Sequence, residues 1–125
     1  VVCHIPTELM VWVDPNHLDI AIRNIFYNAI KFTYPNGQIV IAALKKDKEV
    51  ELSITDNGKG MSKEILETLF SYQKQQGVYG TNGERGAGIG LLLTKDYMDR
   101  NGAKLLVNSK ENEGTSFTIV FQEKA

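Results

Sequence analysis

Residues 38–55 read Gln38-Ile39-Val40-Ile41-Ala42-Ala43-Leu44-Lys45-Lys46-Asp47-Lys48-Glu49-Val50-Glu51-Leu52-Ser53-Ile54-Thr55. Two strand-like runs, 38–44 and 49–55, flank the charged turn Lys45-Lys46-Asp47-Lys48, and this pattern predicts a β-hairpin. In the second run Val50, Leu52 and Ile54 point one way while Glu51, Ser53 and Thr55 point the other. That alternation marks a strand with one buried face. A hairpin at the centre of the chain makes its sheet antiparallel at that point and argues against a fully parallel, doubly wound fold.

Upstream, Tyr34-Pro35-Asn36-Gly37 is a strong breaker, and helical periodicity occupies 16–33 before it. Asp14-Pro15-Asn16 starts that helix, since Asp caps well and Pro is tolerated in the first turn. Within it Asn24, Asn28 and Lys31 fall on one face, opposite Ile22, Ile25, Phe26, Ala29 and Ile30. Asn is a poor helix former, so this face is either ordinary solvated surface or amide oxygens and a cation aimed at a ligand. Residues 1–5 and 9–13 are expected as one or two short strands around Pro6, with Cys3 a small strand residue. Trp12 and Phe26 are expected in the core.

Downstream, the second strand runs into Asp56-Asn57-Gly58-Lys59-Gly60. Ser62 followed by Ile65, Leu66, Leu69 and Phe70 suggests a short capped helix. Residues 71–88 are polar and glycine-rich, as expected of an active-site lid. A helix over 88–100 ends at Asn101-Gly102, and strands 104–109 and 115–121 close the chain as a second hairpin around Asn112-Glu113-Gly114. The expected fold is α+β: a two-layer sandwich with a mixed, mostly antiparallel sheet and about three helices on one face.

The 125 residues suit one domain, 1–125, with no internal repeat. Lys and Arg number 14 against 15 Asp and Glu, a balance that argues against a dedicated nucleic-acid binder. One cysteine rules out an intrachain disulfide framework and fits a reducing compartment. No apolar run approaches the roughly 18 residues of a membrane helix. The chain starts without Met and reads as an excised or processed piece.

Gly86-Ala87-Gly88-Ile89-Gly90-Leu91 leads into a helix, where free N–H groups and the positive end of the dipole suit phosphate. The dinucleotide fingerprint fails because Leu91 takes its last position and no parallel βαβ unit surrounds it. Walker A fails because Lys59 is followed by Gly60. Asp56, between a strand and two glycines, is either a plain turn or a carboxylate that accepts from an amine, with Gly58 and Gly60 leaving room for a flat group.

Together these pieces resemble one family. Asp14-Pro15-Asn16-His17-Leu18 through Asn24-x-x-x-Asn28-Ala29-Ile30-Lys31-Phe32-Thr33 resembles the N box of sensor histidine kinases. Asp56-x-Gly58-x-Gly60 is similar to their G1 box, Gly86-x-Gly88-Ile89-Gly90-Leu91 to their G2 box, and Gly114-Thr115-Ser116-Phe117 to their last glycine motif. Order and spacing agree from about residue 10 to residue 121.

The resemblance implies the Bergerat ATP-binding fold of the gyrase, chaperone and histidine-kinase superfamily, with ATP and Mg²⁺ as ligands. It makes Asn28 a magnesium ligand through its side-chain oxygen, helped by Asn24, and directs Lys31 to the terminal phosphates. Asp56 would accept from the adenine amino group, flanked by Gly58 and Gly60 and supported by Thr115. Gly86, Gly88 and Gly90, with Leu91 completing the motif, would line the phosphates, and 71–88 would be the lid, with Arg85 and Lys74 contributing contacts. Ala87 departs from the Thr or Ser common there, and the aromatic box before the lid is reduced to Phe70 and Tyr72.

Gyrase-like ATPases carry a water-activating Glu four residues before the metal-binding Asn. Asn24 stands there and cannot act as a general base. That favours phosphoryl transfer to a histidine over hydrolysis. Neither His4 nor His17 has the helical context of such an acceptor, so the implied partners are a separate dimerisation and phosphoacceptor domain and a response-regulator receiver domain. Neither nucleic acid nor direct membrane contact is implied, and the domain would be cytoplasmic in a membrane-anchored parent. The rivals are a serine kinase of the anti-sigma type, a self-contained ATPase, and a non-catalytic nucleotide-binding or scaffold module.

Overall fold

The structure is a computed structural model that describes residues 1–6, 8–68 and 85–122, with the backbone alone at 68 and 85–89. The elements run β1 (Val2–His4), α1 (Pro15–Phe32), β2 (Ile39–Lys46), β3 (Glu49–Asp56), α2 (Lys63–Thr68), α3 (Arg85–Arg100), β4 (Lys104–Lys110) and β5 (Gly114–Gln122). They form a five-stranded sheet in the order β1-β2-β3-β5-β4. Only the β1–β2 pair is parallel. The central hairpin is present, and the antiparallel pairing it imposes extends through β5 to β4. Among the described residues no helix is long and apolar enough to cross a membrane.

Strand register builds the core in rows. Ile41, Ile54, Phe117 and Val107 stand side by side across β2, β3, β5 and β4, and Ala43, Leu52, Ile119 and Leu105 form the next row. Ala21, Ile25 and Ala29 of α1, with Leu91 and Met98 of α3, cover these rows, while Ile65 and Leu66 of α2 pack at their margin. The other face of the sheet is open, with Leu44 and Leu106 exposed.

Two polar contacts set the helices side by side and antiparallel. At one end the Asp14 carboxylate caps α1 by accepting from the N–H groups of Asn16 and His17. Its own N–H donates to Asn101 Oδ1 at 2.8 Å, and the His17 ring stacks on Tyr97 with centroids 4.3 Å apart. His17 is therefore part of a helix-to-helix latch. Gly102, at φ +73°, ends α3 as the left-handed residue of a Schellman motif, with Gly102 N–H bonded to Asp99 and Ala103 N–H to Met98. At the other end Asn24 of α1 meets Gly90 and Thr94 of α3.

Three expectations change. Residues 9–13 carry the alternation of a strand, with Leu9, Val11 and Val13 turned toward the core, yet form no ladder. Trp12 consequently faces outward at 64% exposure, whereas Phe26 does pack against the core. The last helix begins at Arg85, three residues early, and takes the glycine motif into its first turns. Residues 71–84 of the expected lid, together with Phe70, Tyr72 and Lys74, lie outside the described residues.

Phe117 is 1% exposed at the centre of a cross-strand row, whereas Leu106 is 53% exposed. Phe117→Ala should cost about 3–5 kcal/mol, and Leu106→Ala should stay within about 0.5 kcal/mol. Urea unfolding of the two variants checks the contrast; comparable losses would mean that the outer face is covered in solution.

Candidate functional site

One end of the sheet carries polar residues where the rest carries apolar ones. Ile39, Asp56, Thr115 and Ser109 form the row beyond Phe117. Asp56 and Thr115 are each only 4% exposed. The Asp56 carboxylate accepts from the Gly58 N–H at 2.9 Å, closing the turn that follows the strand. Ser109, which sequence reasoning passed over, is the hub of this end. Its hydroxyl accepts from the Met61 N–H, lies 3.0 Å from the Gly114 carbonyl oxygen and 2.8 Å from the Thr115 hydroxyl. Its pairing with Thr115 follows from the closing hairpin, whereas its contact with Met61, 48 positions away, is a long-range fact with no local signature.

Burial raises the Asp56 carboxyl above the ordinary aspartate value, and the N–H groups of Gly58 and Thr115 pull it part of the way back. A buried carboxyl with one oxygen held by backbone is suited to recognising an amine.

The loop after Asp56 is held on both sides by backbone. Lys59 N–H donates to the Phe32 carbonyl at the end of α1, and Lys59 C=O accepts from Asn112 in the β4–β5 turn. Asn57 pairs with Gln38 through both its side chain and its backbone. A side chain on Gly58 would run into the Phe32 carbonyl, and one on Gly60 (φ +70°) into that of Lys110. The missing side chains at 58 and 60 are thus required by this chain's own backbone.

On α1, Asn28 is 4% exposed, and its side chain makes no hydrogen bond among the described residues. An unpaired buried amide costs about 1–3 kcal/mol, and its oxygen is a ligand of the kind hard cations take. Among the described residues no group of three or more His, Cys, Asp or Glu could hold a metal. A cation here would therefore have to draw most of its ligands from phosphate and water, which suits Mg²⁺. Asn24 donates from Nδ2 to the Gly90 carbonyl and to the Thr94 hydroxyl, both at 3.1 Å. Lys31 is half-buried, with Nζ 5.8 Å from the Phe32 ring centre.

Arg85 opens α3, its side chain outside the described residues. Gly86 falls in the first turn of α3, whose N–H groups have no intrahelical acceptor, whereas Gly88 is the fourth helical residue, where the i→i−4 ladder begins. The Gly90 N–H lies further in, and its carbonyl receives Asn24. Leu91, at 1% exposure, places its side chain in the core. The fold thus anchors two groups of candidates, Asp56 with Thr115 at the sheet end and Asn24 with Asn28 on α1. Phe32, at the end of α1, bears directly on the loop after Asp56.

Residues 13–125 match the family model described as histidine kinase-, DNA gyrase B-, and HSP90-like ATPase. The chain is 32% identical over 115 residues to the circadian input-output histidine kinase CikA of Thermosynechococcus vestitus, covering 91% of this chain and 16% of that protein. It is 29% identical over 109 residues to the sensor histidine kinase ZraS of Escherichia coli, covering 87% and 22%. The chain therefore spans about a fifth or less of these relatives. Among solved structures, the catalytic domain of histidine kinase ThkA superposes with a TM-score of 0.78 at 25% identity, over 98% of this chain and 78% of that one. The mycobacterial sensor histidine kinase MprB gives the same TM-score and identity, over 98% and 82%.

Because the folded Asp56 carboxyl keeps its proton above pH 3.8, where the unfolded one has lost it, the folded state binds more protons in that window. Asp56 therefore makes stability fall as pH rises through it. Asp56→Asn retains an oxygen for the Gly58 N–H and should flatten that fall. Chemical unfolding of both proteins at stepped pH checks this, and parallel profiles would count against a raised carboxyl.

Proposed function

This chain belongs to the histidine kinase-, DNA gyrase B- and HSP90-like ATPase family, and from that premise we propose that it is the catalytic ATP-binding domain of a two-component sensor histidine kinase. Its reaction would be transfer of the γ-phosphoryl group of Mg-ATP to a histidine on a separate dimerisation and phosphoacceptor domain. The observation that carries this proposal is the pair one turn apart on α1. Asn28 is a buried amide unpaired among the described residues, and Asn24 stands where a hydrolase of this superfamily would hold Glu.

Each anchored group has a role in that reaction. The Asp56 carboxylate accepts from the exocyclic amine of adenine, and Thr115, bonded to Ser109, stiffens the strand beside it. The N–H groups of Gly86 and Gly88 face the phosphates with the positive end of the α3 dipole. Lys31 adds a cation near the terminal phosphates, and Arg85 and Lys74 are the lid contacts that the family resemblance suggests. Asn28, with Asn24 beside it, would hold Mg²⁺, which when bound neutralises charge on the phosphate oxygens.

Asn24 and Asn28, where a hydrolase would activate water, offer no base able to do so. The site positions ATP and stabilises charge, and an imidazole supplied from outside attacks the γ-phosphorus as the bond to ADP breaks. The parent protein would supply that histidine, pass the phosphoryl group to a response-regulator receiver domain, and be membrane-anchored with this domain in the cytoplasm. The two histidine kinase relatives described above, each far longer than this chain, support the presence of further domains in the parent.

Asn28→Ala should weaken ATP binding in Mg²⁺ at least tenfold, the loss of about 1.4 kcal/mol, as read by titration calorimetry. The wild-type domain should release phosphate slowly by itself and place acid-labile phosphate on an added histidine-bearing helical hairpin. Brisk hydrolysis without a partner would instead support a self-contained ATPase, and no nucleotide binding a scaffold.

A further inference from the structure

Thr94 has no part in the chemistry described so far, yet it is 0% exposed and carries a hydroxyl into the seam between α1 and α3. Its Oγ1 donates to the carbonyl of Gly90, one turn back, at 2.8 Å. It also accepts from Asn24 Nδ2 at 3.1 Å, and the same Nδ2 reaches the Gly90 carbonyl at 3.1 Å. Both acceptors belong to α3 and lie 2.8 Å apart, so Nδ2 is held there as their shared donor.

The arrangement has one orientation. Turning the Asn24 amide over would set its oxygen against the Gly90 carbonyl oxygen, two acceptors with no proton between them. Nδ2 must therefore face α3, and Oδ1 is left as the free end of the side chain, without a hydrogen bond among the described residues. Gly90 contributes by what it lacks. A Cβ there would stand 3.3 Å from Asn24 Cγ and 3.4 Å from Oδ1, so the amide would have to shift slightly to admit it.

We propose that Thr94 is a positioning residue for the phosphate end of the site: with the Gly90 carbonyl, its hydroxyl holds the Asn24 amide so that Oδ1 alone is presented beside Asn28. The glycine at 90 serves the same end by leaving space for that amide. This rests on the nucleotide-binding function proposed above and concerns how the site is kept ready for a cation, since a preset oxygen loses little rotamer freedom when a ligand arrives. It also ties the first turns of α3 to the middle of α1.

Two measurements on the 125-residue chain test it. The first needs no ligand: the side-chain amide signals of Asn24 in ¹⁵N-labelled protein, identified by their loss in Asn24→Asp. Thr94→Val should move them toward the values of a free amide and speed their exchange with water, and Thr94→Ser should restore them. The second compares ATP affinity with Mg²⁺ and with chelator. Thr94→Val should reduce the gain from Mg²⁺ about fivefold, the loss of one net hydrogen bond, and leave the chelator value unchanged; Thr94→Ser should retain the gain.

A role confined to stability would lower both affinities together, and that result overturns the proposal. So do Asn24 signals that stay in place in folded Thr94→Val. Should that variant not fold, Gly90→Ala crowds the same amide with the hydroxyl intact and must reduce the Mg²⁺ gain in the same way, or the proposal fails. A wild-type chain that binds no ATP, with Asn24 signals behaving as described, sinks the function proposed above and leaves the amide geometry standing.

Discussion

The carbonyl of Phe32 occupies the place where a side chain at residue 58 would be, and the site is arranged around that contact. It brings the end of α1 against the loop that leaves β3, with Lys59 N–H bonding the same carbonyl. Gly114 meets the Asp56 carbonyl, and Gly60 that of Lys110, in the same fashion. Backbone packed directly on backbone leaves no side chain to yield, so the loop has one position. The carboxylate of Asp56 and the amides of α1 inherit that position.

Polar groups in this domain are concentrated at one end and one seam. Along most of the sheet the inward rows are Ile, Leu, Val and Phe; at the last row they become Asp56, Thr115 and Ser109. Burying such groups is costly unless they are bonded. Thr115 and Ser109 satisfy each other, Asp56 is partly satisfied by Gly58, and Asn28 is left without a partner among the described residues. The groups that remain under-satisfied are an acceptor for an amine and an oxygen for a cation, which is what a nucleotide with its metal would need.

The α1–α3 seam shows two uses of side-chain hydrogen bonding. The Asp14–His17–Asn101 latch holds one end and contributes to architecture. The Asn24–Thr94–Gly90 set holds the other end and also fixes which atom Asn24 offers. Side-chain amides and hydroxyls in helix interiors weaken local helix preference. Their presence at these positions is explained by contacts between the helices.

Local signals in the sequence determined the elements. Alternation in 49–55, the Pro-Asn-Gly breaker after the first helix and the capping Asp14 depend on neighbours a few residues apart, and all three match the structure. The asparagine-bearing motif of the first helix and the three glycine motifs likewise determined the family, because their order is a property of the chain itself. Distant contacts decided the rest. Trp12 lies outside the core because Leu9, Val11 and Val13 take the inward positions of 9–13, a segment that pairs through a bridge at Val11. Ser109 meets Met61, and Thr94 meets Asn24, only when residues 48 and 70 positions apart are brought together. That the carbonyl of Phe32 takes the place of a side chain at Gly58 is likewise a tertiary fact, since what fills the place of a missing side chain depends on which backbone packs there.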